Sequence, residues 1–317
     1  MSGTRARSCV IVGLDGSDPD VLANLVLFYS ACGFDVSRSP IPVDCDLLVI
    51  QRGAYGGEVF EARAAACHIY DYVRMGTSDF HQSFPNISAV AVISPTTPVS
   101  GQSMPATVIK SFHPVISELW ANRDPGTRRA HRFIHVGHRK ANAANDKWLA
   151  QMDSVALSGR CHMWGSGWQE LSAADSSTIH EPATLHQCQA IYRQAEFAFG
   201  VMYPMQRGTT ISGRAWQGPL NGCLVYSEAL VPDVTIPGVV LSEDFPATLE
   251  HAASPYSSAA ELVADASRFW NELSLNLARD LDLHYTRPAR STVRSVYAKE
   301  IFLRHLNSRT RRILRRA

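Results

Sequence analysis

Residues 207–228 consist of a polar, glycine-containing loop, a short helix that carries an arginine, and an apolar strand. The loop contains Thr209 and Thr210, and the helix is expected to begin at Arg214. The first turn of a helix presents unpaired backbone N–H groups and the positive end of the helix dipole, which together bind anions. The Arg214 guanidinium is suited to phosphate, and Gln217 can donate and accept hydrogen bonds as a sugar diol requires. An ordinary loop–helix–strand unit with a solvated arginine is the alternative.

Two other loops in the second half of the chain carry glycines, and each follows a short apolar strand. Strands are expected at residues 132–136 and 161–164, because both runs are short and end at a glycine. Residues 137–140 form a basic, glycine-containing loop, and residues 165–168 contain two glycines and a tryptophan. Strands that alternate with loops and helices in this way predict a parallel α/β unit.

The order of these segments resembles that of GT-B glycosyltransferases, in particular the CgeB-like and glycosyltransferase group-1 proteins. In that family a polar loop precedes a helix with an Arg-x-aromatic-Glu motif, and a small-residue–Gly turn then leads into an apolar strand. The matching residues here are Arg214, Trp216, Gln217 and the run 221–225. Gln217 stands where the family usually has a glutamate. The resemblance covers roughly residues 130–245.

The resemblance implies that a nucleotide-diphosphate sugar is the donor substrate and that no separate cofactor is needed. Basic side chains and loop N–H groups would meet its diphosphate, a Gly-x-Gly-aromatic turn would flank its base, and Gln217 would bind its ribose. The positions concerned are Gly137, Arg139, Lys140, Thr209, Thr210 and Arg214 for the diphosphate, and Gly165 and Trp168 for the base. A neutral amide holds hydroxyls less strongly than a carboxylate does. This departure keeps open a catalytically inactive protein of the same fold that binds sugar nucleotides or glycans.

The donor site is expected to work without a metal ion. A nucleoside diphosphate leaving group develops negative charge, which a metal ion or a set of cationic side chains must stabilise. The D-x-D sequence at residues 44–46 opens an apolar strand in the first half, so we interpret it as turn chemistry. The histidines show no H-E-x-x-H motif and no paired-ligand spacing. Cationic side chains of the second half are therefore favoured over a metal ion.

The first half is predicted to be a Rossmann-like unit whose strand ends carry candidate carboxylates. A strand–helix–strand–strand pattern covers residues 8–51, a helix is expected at residues 58–66, and a further strand at residues 67–72. Asp71 ends the later strand, where parallel α/β sheets bind ligands, and the GT-B resemblance implies that the loop with Asp15 faces the cleft near the acceptor. Both are candidate catalytic bases, with capping of a turn or helix as the alternative. The G-L-D-G-S-D sequence lacks the third glycine of a dinucleotide fingerprint, which argues against NAD.

Length and composition are those of an ordinary globular protein with two domains. The chain has 317 residues, of which 45% are hydrophobic and 19% charged, and a net charge of +1. Its seven dispersed cysteines form no CxxC pair and are typical of reduced core thiols in a cytoplasmic protein. We expect two Rossmann-like domains that face a cleft. They are an acceptor-side domain at residues 1–125 and a nucleotide-sugar-binding domain at residues 126–270, followed by a basic helical tail at residues 271–317.

The basic segment after Pro288 has two interpretations. It either packs against the first domain with a solvated basic face, or it docks on an anionic membrane surface or on nucleic acid. The overall prediction is a cytoplasmic, metal-independent glycosyltransferase, with peripheral membrane association through residues 288–317 as an option. The acceptor is left undefined among glycans, lipid-linked glycans and proteins. A DNA-modifying glycosyltransferase is an alternative that only the basic tail favours.

Overall fold

A computed structural model shows the architecture of the chain. It describes residues 7–13, 19–51, 60–70, 85–87, 89–94, 106–126, 129–139, 147–171, 173–183, 185–201, 213–228, 234–289, 291–296 and 298–299. The chain divides into two compact units. The first comprises Met1–Leu119 together with Trp270–Ala317, and the second is Trp120–Phe269.

The first unit is built on a six-stranded parallel sheet with the order β2-β1-β3-β4-β5-β6. Its strands are β1 (Arg7–Gly13), β2 (Phe34–Ser39), β3 (Cys45–Gln51), β4 (Ala64–Tyr70), β5 (Ala89–Ser94) and β6 (Ala106–Lys110). Its helices include α1 (Pro19–Ala31) and α2 (Ser117–Trp120). β1 and β3 are almost continuously apolar and buried, as strands covered on both faces require.

The second unit repeats this construction with the strand order β12-β11-β10-β7-β8-β9, again parallel throughout. Its strands are β7 (His131–Val136), β8 (Cys161–Trp164), β9 (Ile179–His180), β10 (Ala195–Gly200), β11 (Leu224–Ser227) and β12 (Val239–Leu241). Counted from β7, this is the Rossmann order, in which the chain reverses its direction of winding between the first and fourth strands. That reversal lies between β7 and β10.

Helices pack on the second sheet around an aromatic core. They are α3 (Lys147–Leu157), α4 (Leu185–Arg193), α5 (Arg214–Leu220), α6 (Phe245–His251) and α7 (Ala259–Asp280). Phe133 on β7 stacks on Phe199 of β10 with ring centroids 5.7 Å apart, and Phe245 lies 5.0 Å from Phe199. This side of the sheet is apolar, so the polar side chains that could bind a ligand lie instead in the loops at the strand ends.

The chain returns to the first unit within α7, because the division between the units falls at residue 270. The Thr286 N–H donates to the carbonyl of Ala31 at the end of α1, and Tyr285 stacks on Phe28 at 5.6 Å. Residues 291–296 are helical and Val293 is buried. Residues 270–287 therefore pack on the first unit, whereas residues 300–317 lie outside the described part.

The two-sheet α/β prediction is confirmed, but one local prediction is wrong. The run at residues 58–66 was expected to be helical, whereas β4 begins at Ala64. Alanine has the highest helix propensity, but tertiary contacts readily override propensity, and here Ala66 pairs with Leu47 of β3 and Ala89 of β5. The sheet contacts on both sides outweigh the local preference. Within the described part of the chain, no helix is both long and apolar enough to span a membrane.

Candidate functional site

The carboxyl ends of β7 and β10 form the point of the second sheet where ligands of Rossmann folds bind. The two strands are direct neighbours, and Phe199 of β10 lies opposite His135 of β7. β7 ends at Val136 and is followed by Gly137, and β10 ends at Gly200. The last register pair between the two strands is Phe199–His135, so the carbonyls of Val136 and Val201 lie beyond the paired part of the sheet.

Arg214 holds the two strand ends together. Its Nε–H donates to the Val136 carbonyl at 2.7 Å, and its Nη1–H donates to the Val201 carbonyl at 2.9 Å. A Cβ at position 137 would overlap Nη2 of Arg214, so only glycine allows the guanidinium to lie this close to the end of β7. The predicted phosphate-binding arginine is therefore at the switch point of the sheet, in a position set by backbone carbonyls.

His135 lies beneath this arginine and is neutral. It is 3% exposed, and its Nδ1 lies 2.9 Å from the carbonyl oxygen of Phe199. A carbonyl oxygen can only accept, so Nδ1 carries the proton. Burial, and then the charge of Arg214, lower the pKa of His135 to about 3. The positive charge at this point of the site is consequently that of Arg214 and not of the histidine.

Residues 137–139 and residues 165–168 form what we call the paired loops. Gly137 N–H donates to the Trp164 carbonyl at 2.8 Å, and Arg139 N–H donates to the Ser166 carbonyl at 2.9 Å. Gly165 has φ +151°, and a Cβ there would overlap the carbonyl oxygen of Gly137. The two loops thus meet backbone to backbone, which requires glycine at position 165.

Trp168 and Arg139 stabilise the paired loops from within. Trp168 is 1% exposed, and its indole N–H donates to the Gly137 carbonyl at 2.7 Å. Arg139 makes two hydrogen bonds to Asp153 of α3, at 2.8 and 3.0 Å, and lies 3.4 Å from Glu170. These contacts show how both side chains are held, while their predicted contacts with base and diphosphate stay predictions.

Gln217 is the fourth residue of α5, and its side chain lies beside Gly213. Its Nε2 is 3.6 Å from the position that a Cβ on Gly213 would occupy, and only 8% of the residue is exposed. Its carbonyl accepts from Asn221 Nδ2 at 2.7 Å, which ties the helix to the turn before β11. The contact of Gln217 with a ribose stays a prediction.

Several predicted site residues lie outside the described part of the chain. They are Asp15, Asp71, Lys140, Thr209 and Thr210. Asp15 comes two residues after the end of β1, and Asp71 comes directly after β4. Their roles stay predictions.

Two features at the paired loops were not predicted from the sequence. The exposed pair His138–Ser166 bridges the loops, with the Ser166 N–H donating to His138 Nδ1 at 3.1 Å and the hydroxyl 2.8 Å from the same nitrogen. The carbonyl contacts of Arg214 were missed as well, because they depend on β7 and β10 being neighbours. The G-x-G spacing at residues 165–167 is the sequence signal for close backbone approach.

The D-x-D sequence lies at the start of β3, at the amino end of the first sheet, and both of its carboxylates accept hydrogen bonds from other segments of the first unit. Asp46 accepts hydrogen bonds from the Ser8 N–H at 2.6 Å and the Ser8 hydroxyl at 2.9 Å. Asp44 accepts from the Arg63 N–H at 2.9 Å. Among the described residues, no three His, Cys, Asp or Glu side chains are grouped to hold a metal ion. Metal independence stays a prediction.

Three histidines lie together at the edge of the second sheet. His162 Nδ1 is 2.9 Å from His180 Nε2 with the two ring planes 9° apart, and the His131 ring lies 4.2 Å from that of His162. Burial, followed by the charge of a neighbouring histidine, lowers the pKa of each. The Gly165 N–H donates to the His180 carbonyl at 3.3 Å, so this cluster adjoins the paired loops.

Comparison with known proteins gives no match to a family model and none to a curated protein. Solved structures do match. AviGT4, a glycosyltransferase involved in avilamycin A biosynthesis, is 14% identical with a TM-score of 0.54 over 92% of this chain and 98% of its own. An alpha-glucosyltransferase in complex with UDP and a 13-mer DNA containing a HMU base is 10% identical with a TM-score of 0.57, over 88% and 99%.

The chain has the GT-B glycosyltransferase fold. The match spans nearly the whole length of both neighbours and includes both units. At this low identity the likeness establishes the fold alone. The residues of the candidate site therefore rest on the geometry described above, and the CgeB-like subtype stays a prediction.

We predict that Gly165→Ala destabilises the protein more than Gly159→Ala does. Both glycines have positive φ, but the nearest atom to a Cβ at Gly159 is 3.8 Å away, whereas at Gly165 it overlaps backbone. Gly165→Ala should lower the free energy of unfolding by about 1–3 kcal/mol more than Gly159→Ala, because alanine at φ +151° both overlaps backbone and is more strained than at φ +66°. Chemical denaturation measures both. Equal losses would show that the close approach of the paired loops is not a constraint.

We also predict that the histidine cluster makes the protein less stable in acid. Because the folded-state pKa values are lowered, the unfolded chain binds protons first, and stability present above about pH 6.5 is lost as the pH falls. Asp175, which faces His162, opposes this loss. The thermal midpoint of His162→Gln/His180→Gln should therefore fall less steeply with decreasing pH than that of the wild type.

Ile179→Val in β9 is the matched control for this pH series. It removes a methylene from the same strand without removing a titrating group, so it should lower the midpoint equally at every pH. His68 and His135 also have lowered pKa values and contribute to every curve, so the difference between curves is the quantity to read. A double variant with the wild-type slope would contradict the assignment to this cluster.

Proposed function

We propose that the chain is a glycosyltransferase that transfers a sugar from a nucleotide-diphosphate donor to an acceptor. The observation that carries the proposal is the Arg214 guanidinium, held against Gly137 at the carboxyl ends of β7 and β10. A cation fixed at the switch point of a Rossmann sheet is suited to a diphosphate. The GT-B fold of the chain agrees with this reaction.

Arg214 would stabilise the leaving group. As the bond between sugar and diphosphate breaks, negative charge grows on the diphosphate, and a preorganised cation lowers the energy of that state. The two carbonyls that bind Arg214 fix its position before the donor arrives. The neutral state of His135 keeps a second positive charge from repelling the guanidinium.

The remaining donor contacts follow the predicted positions. Arg139 would contribute positive charge beside the diphosphate, with Asp153 orienting its side chain. Lys140 and the backbone of Thr209 and Thr210 would complete a metal-independent diphosphate site, and Gln217 would bind the ribose. The neighbouring alpha-glucosyltransferase was solved with UDP and with UDP-glucose, so uridine is the first base to test.

The acceptor is a separate question, and one alternative concerns DNA. The alpha-glucosyltransferase neighbour was solved with DNA, and the segment of this chain after Pro288 is rich in arginine. Phosphate contacts made by such a segment weaken steeply with salt. A glycan, a lipid-linked glycan at an anionic membrane surface, or a protein are the other acceptors that we consider.

We predict that Arg214→Lys weakens binding of the donor nucleotide about 10- to 100-fold, because lysine keeps the charge but loses the fork geometry. A thermal-shift panel of UDP, GDP, dTDP, CDP and ADP, with and without magnesium, first identifies the nucleotide. Calorimetry then measures its Kd for each variant. No shift from any nucleotide would refute the donor site.

Arg160→Ala is the matched control for this substitution. Arg160 donates to the Leu249 carbonyl at 2.8 Å and pairs with Glu250, just before β8 begins and so at the other end of the strands. The Arg160→Ala variant should be less stable than the wild type but should bind the nucleotide with the same affinity. If both variants lose affinity equally, the effect of Arg214→Lys is one of folding and not of binding.

We further predict that retention on duplex DNA separates the acceptor alternatives. If DNA is the acceptor, full-length protein should bind duplex DNA with an affinity that falls steeply as salt rises, and removal of residues 288–317 should abolish this. Retention that does not depend on salt or on those residues would remove the DNA alternative.

A further inference from the structure

The carboxyl edge of the first sheet contains a buried amide that no group in the described part of the chain satisfies. Gln51, the last residue of β3, is 0% exposed, and both its Oε1 and its Nε2 lack a hydrogen-bond partner. Buried amide groups almost always pair, because leaving them unpaired costs their full desolvation free energy. A glutamine kept in this state points to a partner that is present only part of the time.

The neighbouring polar groups do not supply that partner, because they satisfy one another. The register places Gln51 beside Tyr70 of β4, on the same face of the sheet. The Tyr70 hydroxyl lies 2.8 Å from that of Tyr29 on α1, and the Tyr29 hydroxyl lies 2.8 Å from His68 Nδ1. This network is closed without Gln51.

Gln51 also lies at the switch point of its sheet. In the order β2-β1-β3, the chain winds from β1 to one side and then returns to place β3 on the other side of β1. Gln51 pairs in register with Gly13, the last residue of β1. Open α/β sheets bind ligands just beyond the carboxyl ends of the two strands that flank this point. The unsatisfied amide and the switch point are independent observations that indicate the same position.

The chemistry of the position defines the ligand class. An amide presents one acceptor and two N–H donors, which suits a hydroxyl that both donates and accepts. His68 lies two residues before Tyr70 on the same face of β4, and it is neutral because burial lowers its pKa to about 4. The described groups on this face of β3 and β4 are therefore uncharged, and they suit a neutral, hydroxyl-rich ligand better than a charged one.

We propose that Gln51 is a binding residue of the first unit and that its amide hydrogen-bonds a hydroxyl of a neutral, sugar-like acceptor. That the bound ligand is an acceptor rests on the proposed glycosyltransferase function. The hydrogen bond between Gln51 and a ligand hydroxyl does not depend on it. Gln51 discriminates among acceptors, because a ligand without a hydroxyl at this point leaves the amide unpaired.

The first test uses stability and needs no ligand. Gln51→Met keeps the length of the side chain and removes both unsatisfied groups, so it should raise the thermal midpoint. Gln151→Met is the matched control, because Gln151 Nε2 donates to the Glu243 carbonyl at 3.0 Å and its Oε1 accepts from the Phe245 N–H at 2.8 Å. That substitution leaves two backbone groups unpaired and should lower the midpoint. A lower midpoint for Gln51→Met would show that the fold satisfies the amide, and would overturn the proposal.

The second test uses methyl α- and β-glycosides of common hexoses as probes. Some of them should raise the midpoint of the wild type and of Gln151→Met by mass action, and none should raise that of Gln51→Met. Where transfer to a probe is measurable, Gln51→Met should raise the acceptor KM about tenfold. No glycoside shift in the wild type, or an equal shift in Gln51→Met, would overturn the proposal.

These outcomes separate the failure of this inference from that of the proposed function. If no nucleotide shifts the wild type but the glycoside shift depends on Gln51, the donor site fails and Gln51 stands as a residue of a glycan-binding protein. If nucleotides bind and glycosides do not, the glycosyltransferase proposal stands and the assignment of Gln51 falls.

Discussion

The second unit depends on how the backbone carbonyls at the ends of β7 and β10 are satisfied. The register between the two strands ends at the Phe199–His135 pair, so the carbonyls beyond it need another donor. Arg214 supplies one N–H to Val136 and one to Val201. Glycine at position 137 follows from this, because any larger residue would overlap the guanidinium. The same contact that completes the fold thus places a positive charge where a Rossmann sheet binds its ligand.

The paired loops, which adjoin Arg214, are also held by hydrogen bonds within the protein. Trp168 donates to the Gly137 carbonyl, and the N–H groups of Gly137 and Arg139 donate to the carbonyls of Trp164 and Ser166. Because these bonds form within the protein, the loops need no ligand to hold their shape. A site ordered in this way stabilises developing charge without first reorganising. The close approach of the two loops excludes larger side chains, because a Cβ at position 165 would overlap the backbone of Gly137.

Elements whose ends are marked by apolar runs and glycines were predictable from the sequence, and the two shortest described strands were not. β3, β8 and α5 have the predicted bounds because apolar runs and glycines mark their ends. β9 has two residues and β12 has three, too few to show alternation, and only their neighbours make them strands. The sequence indicated Arg214 and Gly137 as site residues. Their mutual contact was not predictable, because it requires the strand order in space.

The polar groups at the carboxyl edges of the two sheets differ in whether they have hydrogen-bond partners within the protein. In the second unit the polar groups at this edge pair with one another, as His138 does with Ser166 and Arg214 with two carbonyls. In the first unit the side chain of Gln51 is buried and unpaired, and so is the hydroxyl of Ser94 at the end of β5. An edge whose polar groups are already hydrogen-bonded can hold a charged group in a fixed position. An unpaired edge carries a loss of stability that a ligand can reverse, so its binding energy favours ligands whose hydroxyls match.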